Sequence, residues 1–189
     1  GGIDRFDGRT FEKLNLINDT ISVDYATCLH RSNDKIWFGL FNGNIGLLEN
    51  GNLKEINTGL NGQIKHMYVD DKNGVWAFSR SGMVFWASNS DTGHFNMSER
   101  DMLINSVVPY RDREFIIGSN DGVWLIRFET GNDFQVLKKI SGLPETKITS
   151  IKYETRNDLI WVGTEDAGLF RVYSPFSATE KIEKFTLDN

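Results

Sequence analysis

The residues most able to do chemistry are five carboxylates set among turn formers, Asp24, Asp70, Asp121, Glu165 and Asp166. Glycoside hydrolysis requires two carboxyl groups facing one another across a cleft, one to protonate the leaving oxygen and the other to attack the sugar or activate water. Acidic residues in turns commonly serve instead as acceptors for nearby backbone N–H groups. No pair stands out, and catalysis is not expected of this chain. His30, His66 and His94 lie far apart with no metal-ligand spacing, so neither a metal site nor a cofactor is expected. Cys28 is the single cysteine; it cannot form an intrachain disulfide and fits a small buried hydrophobe.

The elements that would position these groups come from a recurring phrase, aromatic or aliphatic residues closed by a small one. It reads Ile36-Trp37-Phe38-Gly39, Val75-Trp76-Ala77-Phe78, Phe115-Ile116-Ile117-Gly118 and Ile160-Trp161-Val162-Gly163. Its second positions, 37, 76, 116 and 161, are separated by 39, 40 and 45 residues. A period of this size marks a repeat architecture in which each unit buries its apolar face against the next.

Gly43, Gly82, Gly122 and Gly168 follow the phrases and suit tight turns at positive φ. Apolar alternation resumes after each: Ile45 to Leu48, Met83 to Trp86, Val123 to Ile126, Leu169 to Val172. A further strand precedes each phrase: Ala26 to Leu29, Ile64 to Val69, Ile104 to Val108, Ile148 to Tyr153. A fourth is read at Leu53 to Ile56, around Phe95, at Phe134 to Leu137 and at Ile182 to Phe185. Asn50-Gly51 predicts a type I′ hairpin.

Four antiparallel strands in about 40 residues predict one blade of a β-propeller. The expected fold is therefore all-β, a propeller fragment of about four and a half four-stranded antiparallel blades. The 13 Phe and 5 Trp supply bulky filling between sheets. Trp37, Trp76 and Trp161 are expected to pack between blades, with Trp86 and Trp124 on third strands. Blades are placed at 19–57, 58–97, 98–138 and 139–189. Residues 1–18 are read as the outer half of a truncated blade, because Gly2 to Phe6 align with Gly168 to Val172 and Phe11 to Leu14 complete a hairpin. A chain opening in mid-blade is expected to belong to a larger propeller; a distorted five-bladed ring and open edges paired across a homodimer are the alternatives.

Charge narrows the partners. A formal net charge of −5 without clustered Lys or Arg disfavours nucleic acid, and no stretch approaches the roughly 20 apolar residues of a membrane span.

Three phrases carry a resemblance. Asp34 to Gly39, Asn157 to Thr164 and Gly168 to Tyr173, together with the lead-in Gly142-Leu143-Pro144 before Ile148-Thr149-Ser150-Ile151, resemble the two-component regulator propeller repeat. The repeat at 139–189 is close; that at 98–138 has Ile116 in place of Trp and lacks Leu-Pro. The resemblance implies the periplasmic, extracytoplasmic part of a bacterial hybrid sensor, in which further blades, a membrane span and a histidine kinase lie outside this chain. Many such receptors respond to oligosaccharides.

Propeller ligands commonly bind where loops from several blades converge on one rim. The loops between second and third strands supply Phe41, Asn42, Arg80, Asn120, Asp121, Glu165 and Asp166. The linkers entering the next blade supply Asp24, Tyr25, Asn61, Gln63, Glu145 and Lys147. Tyr25, Phe41, Asn42, Arg80, Asn120, Asp121, Glu165 and Asp166 are the candidate ligand residues, aromatic faces for sugar C–H surfaces and polar groups for hydroxyls. Cys28, His66, Ser106 and Ser150 are expected at equivalent places on inner strands. A protein-interaction platform and a glycan-active enzyme are the other function classes.

Overall fold

Each phrase becomes the second strand of a sheet because its side chains are apolar on both faces and its flanks are turn formers. The computed structural model describes residues 3–13, 26–98 and 102–185, and the chain divides at Thr92/Gly93 into two compact units.

The first unit opens with a two-stranded antiparallel hairpin, β1 (Asp4–Phe6) and β2 (Phe11–Lys13), in register Asp4 to Lys13. Asp7 forms its turn by accepting the N–H groups of Arg9 and Thr10, each at 2.8 Å. A four-stranded sheet follows in chain order: β3 (Ala26–Ser32), β4 (Lys35–Leu40), β5 (Ile45–Glu49) and β6 (Asn52–Ile56). The expected type I′ turn is present, with Asn50 and Gly51 both at positive φ between the paired Glu49 and Asn52. The next sheet is β7 (Ile64–Val69), β8 (Val75–Ser79), β9 (Met83–Ala87) and β10 (Thr92–Asn96), the last spanning the divide between units.

The second unit holds two more such sheets. One is β11 (Ser106–Arg111), β12 (Glu114–Gly118), β13 (Val123–Phe128) and β14 (Phe134–Lys139). The other is β15 (Ile148–Glu154), β16 (Leu159–Thr164), β17 (Leu169–Tyr173) and β18 (Lys181–Phe185). The strand expected from Ile104 begins instead at Ser106; Ile104 is fully buried in the approach to it.

Packing within each unit follows one rule. Trp37, Ile45 and Leu47 on one face of the β3–β6 sheet share a cluster with Ile64, Met67, Val75, Ala77 and Phe85 of the next sheet. In the second unit, Ile116 and Leu125 face Ile151, Ile160, Val162 and Phe170. The face carrying the phrase's second position therefore covers the following sheet's first and third positions.

The closing glycine makes the contact possible. A Cβ on Gly39 would lie 2.6 Å from Ile64 Cγ2, and one on Gly118 would lie 2.6 Å from Ile148 Cγ2. In both places the glycine vacates the volume that the next blade's first-strand isoleucine fills. The expected equivalence of inner-strand positions holds, since Cys28 pairs with Gly39, His66 with Phe78, Ser106 with Gly118 and Ser150 with Gly163.

The tryptophans are not all alike. Trp37 and Trp76 are 8% and 1% exposed. Trp161 is half-buried, and what packs on it is its own sheet: the Arg171 guanidinium lies 5.1 Å from its ring and the Phe185 ring meets it at a tilt, 5.5 Å between centroids. The expectation of interblade packing at Trp161 is corrected accordingly; among the described residues no further sheet covers that face in the way Trp37 is covered.

Candidate functional site

In each unit, the turn between second and third strands lies beside the linker that enters the next inner strand, so hydrogen bonds lace the two loop sets together.

In the first unit the turn Phe41-Asn42-Gly43-Asn44 closes with Leu40 N–H donating to Asn44 O at 2.9 Å. Asn42 shapes it through its side chain, whose Oδ1 accepts Asn44 N–H at 3.0 Å. Gly43 sits at φ +95, and a Cβ there would be 2.2 Å from Leu60 O; only glycine fits both the left-handed backbone and the close approach. Thr58 Oγ1 donates to Gly43 O at 2.6 Å and accepts Leu60 N–H at 3.0 Å. The same linker reaches the next turn, where Arg80 N–H donates to Gln63 O at 3.0 Å and Ser81 Oγ donates to Asn61 O at 3.1 Å.

One linker thus brings Phe41, Asn42 and Arg80 to one end of the first unit. Phe41 is 60% exposed. The Arg80 side chain is exposed and makes no hydrogen bond or ion pair among the described residues. Tyr25 and Asp24, the remaining predicted residues on this side, lie outside the described residues.

The second unit gathers Asn120, Asp121, Glu165 and Asp166 at one end, but uses their side chains internally. Asn105 Nδ2 donates to Asn120 Oδ1 at 2.9 Å. Asp121 Oδ1 accepts Ser119 Oγ–H at 2.5 Å and the Trp124 indole N–H at 3.1 Å, while Lys139 Nζ lies 3.4 Å from Oδ2. Burial opposes the charge of Asp121, yet the Ser119 and Trp124 hydrogen bonds and the Lys139 ammonium hold its carboxyl below the ordinary carboxylate range. Glu165 Oε1 accepts Lys147 Nζ at 2.5 Å, and Asp166 accepts the Thr146 hydroxyl. Glu165 N–H also donates to Lys147 O at 2.9 Å, which fixes linker against turn.

The predicted residues therefore fall into two classes: Phe41 and Arg80 face outward, whereas the carboxylates of the second unit are occupied by donors of their own rim. Asp70, at the turn between β7 and β8, is similarly employed. Its carboxylate accepts Lys72 N–H at 2.9 Å, Gly74 N–H at 2.7 Å and Trp76 Nε1–H at 3.1 Å. These bonds shape a turn rather than aim a carboxylate at a reacting atom. Glu154 repeats the device on Trp161, whose Nε1–H it accepts at 2.7 Å.

Three contributors to the rim escaped the sequence reading. Trp124 lies under Lys139 Nζ, 4.7 Å from its ring centroid. Lys139 bridges Asp121 and Glu145, at 3.4 and 3.9 Å. Thr146 holds Asp166. The available signal was the start of the third strand, where Trp124 follows Asp121 by three residues and so returns over the turn.

His30 serves backbone and packing. His30 Nε2 accepts Val69 N–H at 3.4 Å, and its ring meets Tyr68 edge-on at 5.8 Å. Burial lowers the His30 pKa and raises that of Cys28. Among the described residues no group of three His, Cys, Asp or Glu side chains is placed to hold a metal ion.

No family profile matches the chain, and no curated protein does. Solved structures do. The chain is similar to the computationally designed Ika4 protein, at 16% identity over 93% of this chain and 99% of that one, with a TM-score of 0.62. It is similar to virginiamycin B lyase from Staphylococcus aureus, at 16% identity over 95% of this chain and 60% of that one, TM-score 0.69. It is similar to the WD40 β-propeller domain of Doa1, at 19% identity over 85% and 53% of the two chains, TM-score 0.66. The chain thus spans between half and three fifths of the length of these last two. At such identities the likeness concerns fold alone. The four antiparallel sheets and the additional hairpin make this chain an all-β propeller fragment, a scaffold of four complete blades and the outer half of another.

Proposed function

We propose that the chain is a ligand-sensing propeller segment from the extracytoplasmic part of a two-component sensor, and that its ligand is an oligosaccharide. The observation that carries this reading is the repeat itself: Asn157 to Thr164, Gly168 to Tyr173 and the Gly142-Leu143-Pro144 lead-in resemble the regulator propeller repeat. The end of the first unit supports it. Phe41 offers an exposed aromatic face and Arg80 a guanidinium with donors to spare, the two kinds of group that hold a sugar's C–H surface and its hydroxyls.

In this reading the rigid linker at residues 58–63 positions the two turns, and the kinase that reports ligand binding lies outside the chain. The test is a thermal-shift and calorimetric screen of the purified chain against oligosaccharides of defined linkage. A ligand at about 100 times its Kd adds roughly 2.7 kcal/mol to the stability of the folded state. The expected result is stabilisation by one glycan class, lost in Arg80→Ala and in Phe41→Ala. A folded protein stabilised by no glycan, or binding that survives both substitutions, would sink the assignment of this site.

A second reading, a protein-interaction scaffold, draws on a different feature: Phe6 and Phe11 are 56% and 75% exposed and stack at 4.7 Å.

A further inference from the structure

Asparagine followed by glycine is a dipeptide whose side chain its own backbone can attack, because the missing Cβ lets the glycine nitrogen swing onto the side-chain carbonyl carbon. Four such pairs occur, Asn42-Gly43, Asn50-Gly51, Asn61-Gly62 and Asn73-Gly74, all in the first unit. The attack needs a glycine N–H that is bonded to nothing else and a backbone free to turn.

Two of the pairs are locked. Gly74 N–H donates to Asp70 Oδ1 at 2.7 Å, and a Cβ on Gly74 would lie 2.5 Å from Asp70 Oδ2. Gly43 N–H donates to Leu40 O at 3.4 Å, its Cα is pressed against Leu60 O, and the Asn42 side chain is itself held by Asn44 N–H. The attacking nitrogen is occupied in both. Asn50-Gly51 is exposed, but the paired Glu49 and Asn52 clamp it in a two-residue hairpin with both residues at positive φ. Turning the chain there means opening the hairpin.

Asn61-Gly62 has neither restraint. It lies in the irregular linker between β6 and β7, with both residues exposed. Gly62 sits at φ +84, and a Cβ there would meet nothing within 4 Å. Neither the Gly62 N–H nor the Asn61 side chain makes a hydrogen bond among the described residues. Ser81 Oγ donates to Asn61 O at 3.1 Å, a bond that leaves both reacting groups untouched.

We propose that Asn61 is a site of spontaneous deamidation in the folded protein. Gly62 N bonds to Asn61 Cγ and gives up its proton, the side-chain nitrogen leaves as ammonia, and the resulting cyclic imide takes up water at one of its two carbonyls. Opening at Cγ gives aspartate. Opening at the α-carbonyl gives isoaspartate, in which the carbonyl that accepts Ser81 Oγ–H becomes a free carboxylate and the main chain to Gly62 gains a carbon. Either product places a new negative charge on the linker that holds the Arg80 turn through Gln63 O. Deamidation here does not depend on what the rim binds.

The purified 189-residue chain is incubated in mildly alkaline buffer, folded in one arm and unfolded by urea in the other. Peptide mapping by mass spectrometry follows the exchange of –NH2 for –OH at each of the four asparagines, and electron-transfer fragmentation separates aspartate from isoaspartate. In urea all four are expected to convert at similar rates. In the folded arm Asn61 is expected to convert first and Asn50 more slowly, with Asn42 and Asn73 slower than Asn61 by about tenfold or more, because each must await local opening. Hydroxylamine, which cleaves the chain at a cyclic imide, is expected to cut the folded protein chiefly between residues 61 and 62, and to lose that cut in Asn61→Gln. Unchanged melting of Asn61→Gln identifies a variant that remains folded. An Asn61 that stays intact in the folded arm while the urea arm runs to completion, or any of the other three asparagines converting as fast as Asn61 in the folded arm, would overturn the proposal.

Discussion

Ser106 Oγ accepts the backbone N–H of Ile151 at 2.9 Å, from a buried position on the inner strand of one blade to the inner strand of the next. The first unit has counterparts: Thr27 Oγ1 donates to Ile64 O at 2.5 Å, and His30 Nε2 accepts Val69 N–H. Side-chain-to-backbone bonds between inner strands thus align neighbouring blades where the apolar contact alone would permit sliding.

Ser106→Ala leaves the Ile151 N–H buried without its acceptor. The expected loss is about 1–3 kcal/mol, the cost of an unsatisfied buried donor. Urea unfolding followed by tryptophan fluorescence measures it; a change below about 0.5 kcal/mol would remove the bond from the list of stabilising contacts.

Gly118→Ala forces a methyl to within 2.6 Å of Ile148 and 3.0 Å of Ile151. Overpacking of this kind typically costs about 1–3 kcal/mol. Gly51→Ala, at an open turn with φ +76, isolates backbone strain from packing and is expected to cost about 1–2 kcal/mol. If the losses from Gly118→Ala and Ile148→Ala, the latter removing the clashing Cγ2, are less than additive while those from Gly51→Ala and Ile148→Ala add, interblade volume is the cause.

Two titrating groups set opposite ends of one acid profile. Burial depresses the His30 pKa from 6.5, so its contribution to stability is present above that value and is lost as protonation favours the unfolded chain at lower pH. Glu183, which accepts hydrogen bonds from Lys181, Arg171 and Tyr173, is held at about 2 against an ordinary 4.5. Its contribution is present above pH 4.5 and disappears as pH falls to about 2. Glu183→Gln is expected to flatten the lower window and leave the upper one; His30→Gln should do the reverse. Melting midpoints from pH 8 to 2 check both signs.

The rim residues divide by what their side chains already do. Arg80→Ala removes no hydrogen bond or ion pair among the described residues and is expected to change stability by less than about 0.5 kcal/mol. Asp121→Ala removes the acceptor of the Ser119 and Trp124 bonds, with an expected loss of roughly 0.5–1.5 kcal/mol. Binding to a stabilising glycan should respond in the opposite order. Equal binding losses in both variants would show that Asp121, too, touches the ligand.

Much of the strand plan was legible because a half-buried sheet imposes period-two alternation and its turns demand particular residues. Asn50-Gly51 forms the expected hairpin, and the segment around Phe95, weak in pattern, still became β10 because Phe95 is buried against Phe128. Ile104 misled because linker and inner strand are both apolar; burial there is decided by neighbours distant in sequence. The rim was legible as a location and not as chemistry. Phe41 and Asp121 occupy comparable turns, yet one faces outward and the other is claimed by Trp124 and Lys139, eighteen residues beyond it.

The sequence by itself determined the repeat, its strand order, its turns and the equivalence of Cys28, His66, Ser106 and Ser150, because these follow from local periodicity and backbone conformational preference. Only the tertiary structure decided that Gly39 and Gly118 exist to admit a neighbour's isoleucine, that Trp161 differs from Trp37, and that Arg80 is uncommitted while Asp121 is not. The glycine and Trp37 distinctions depend on side chains that meet across blades, some 25 to 40 positions apart, and that of Asp121 on Lys139 eighteen positions on; such contacts leave no mark in the local pattern of either residue.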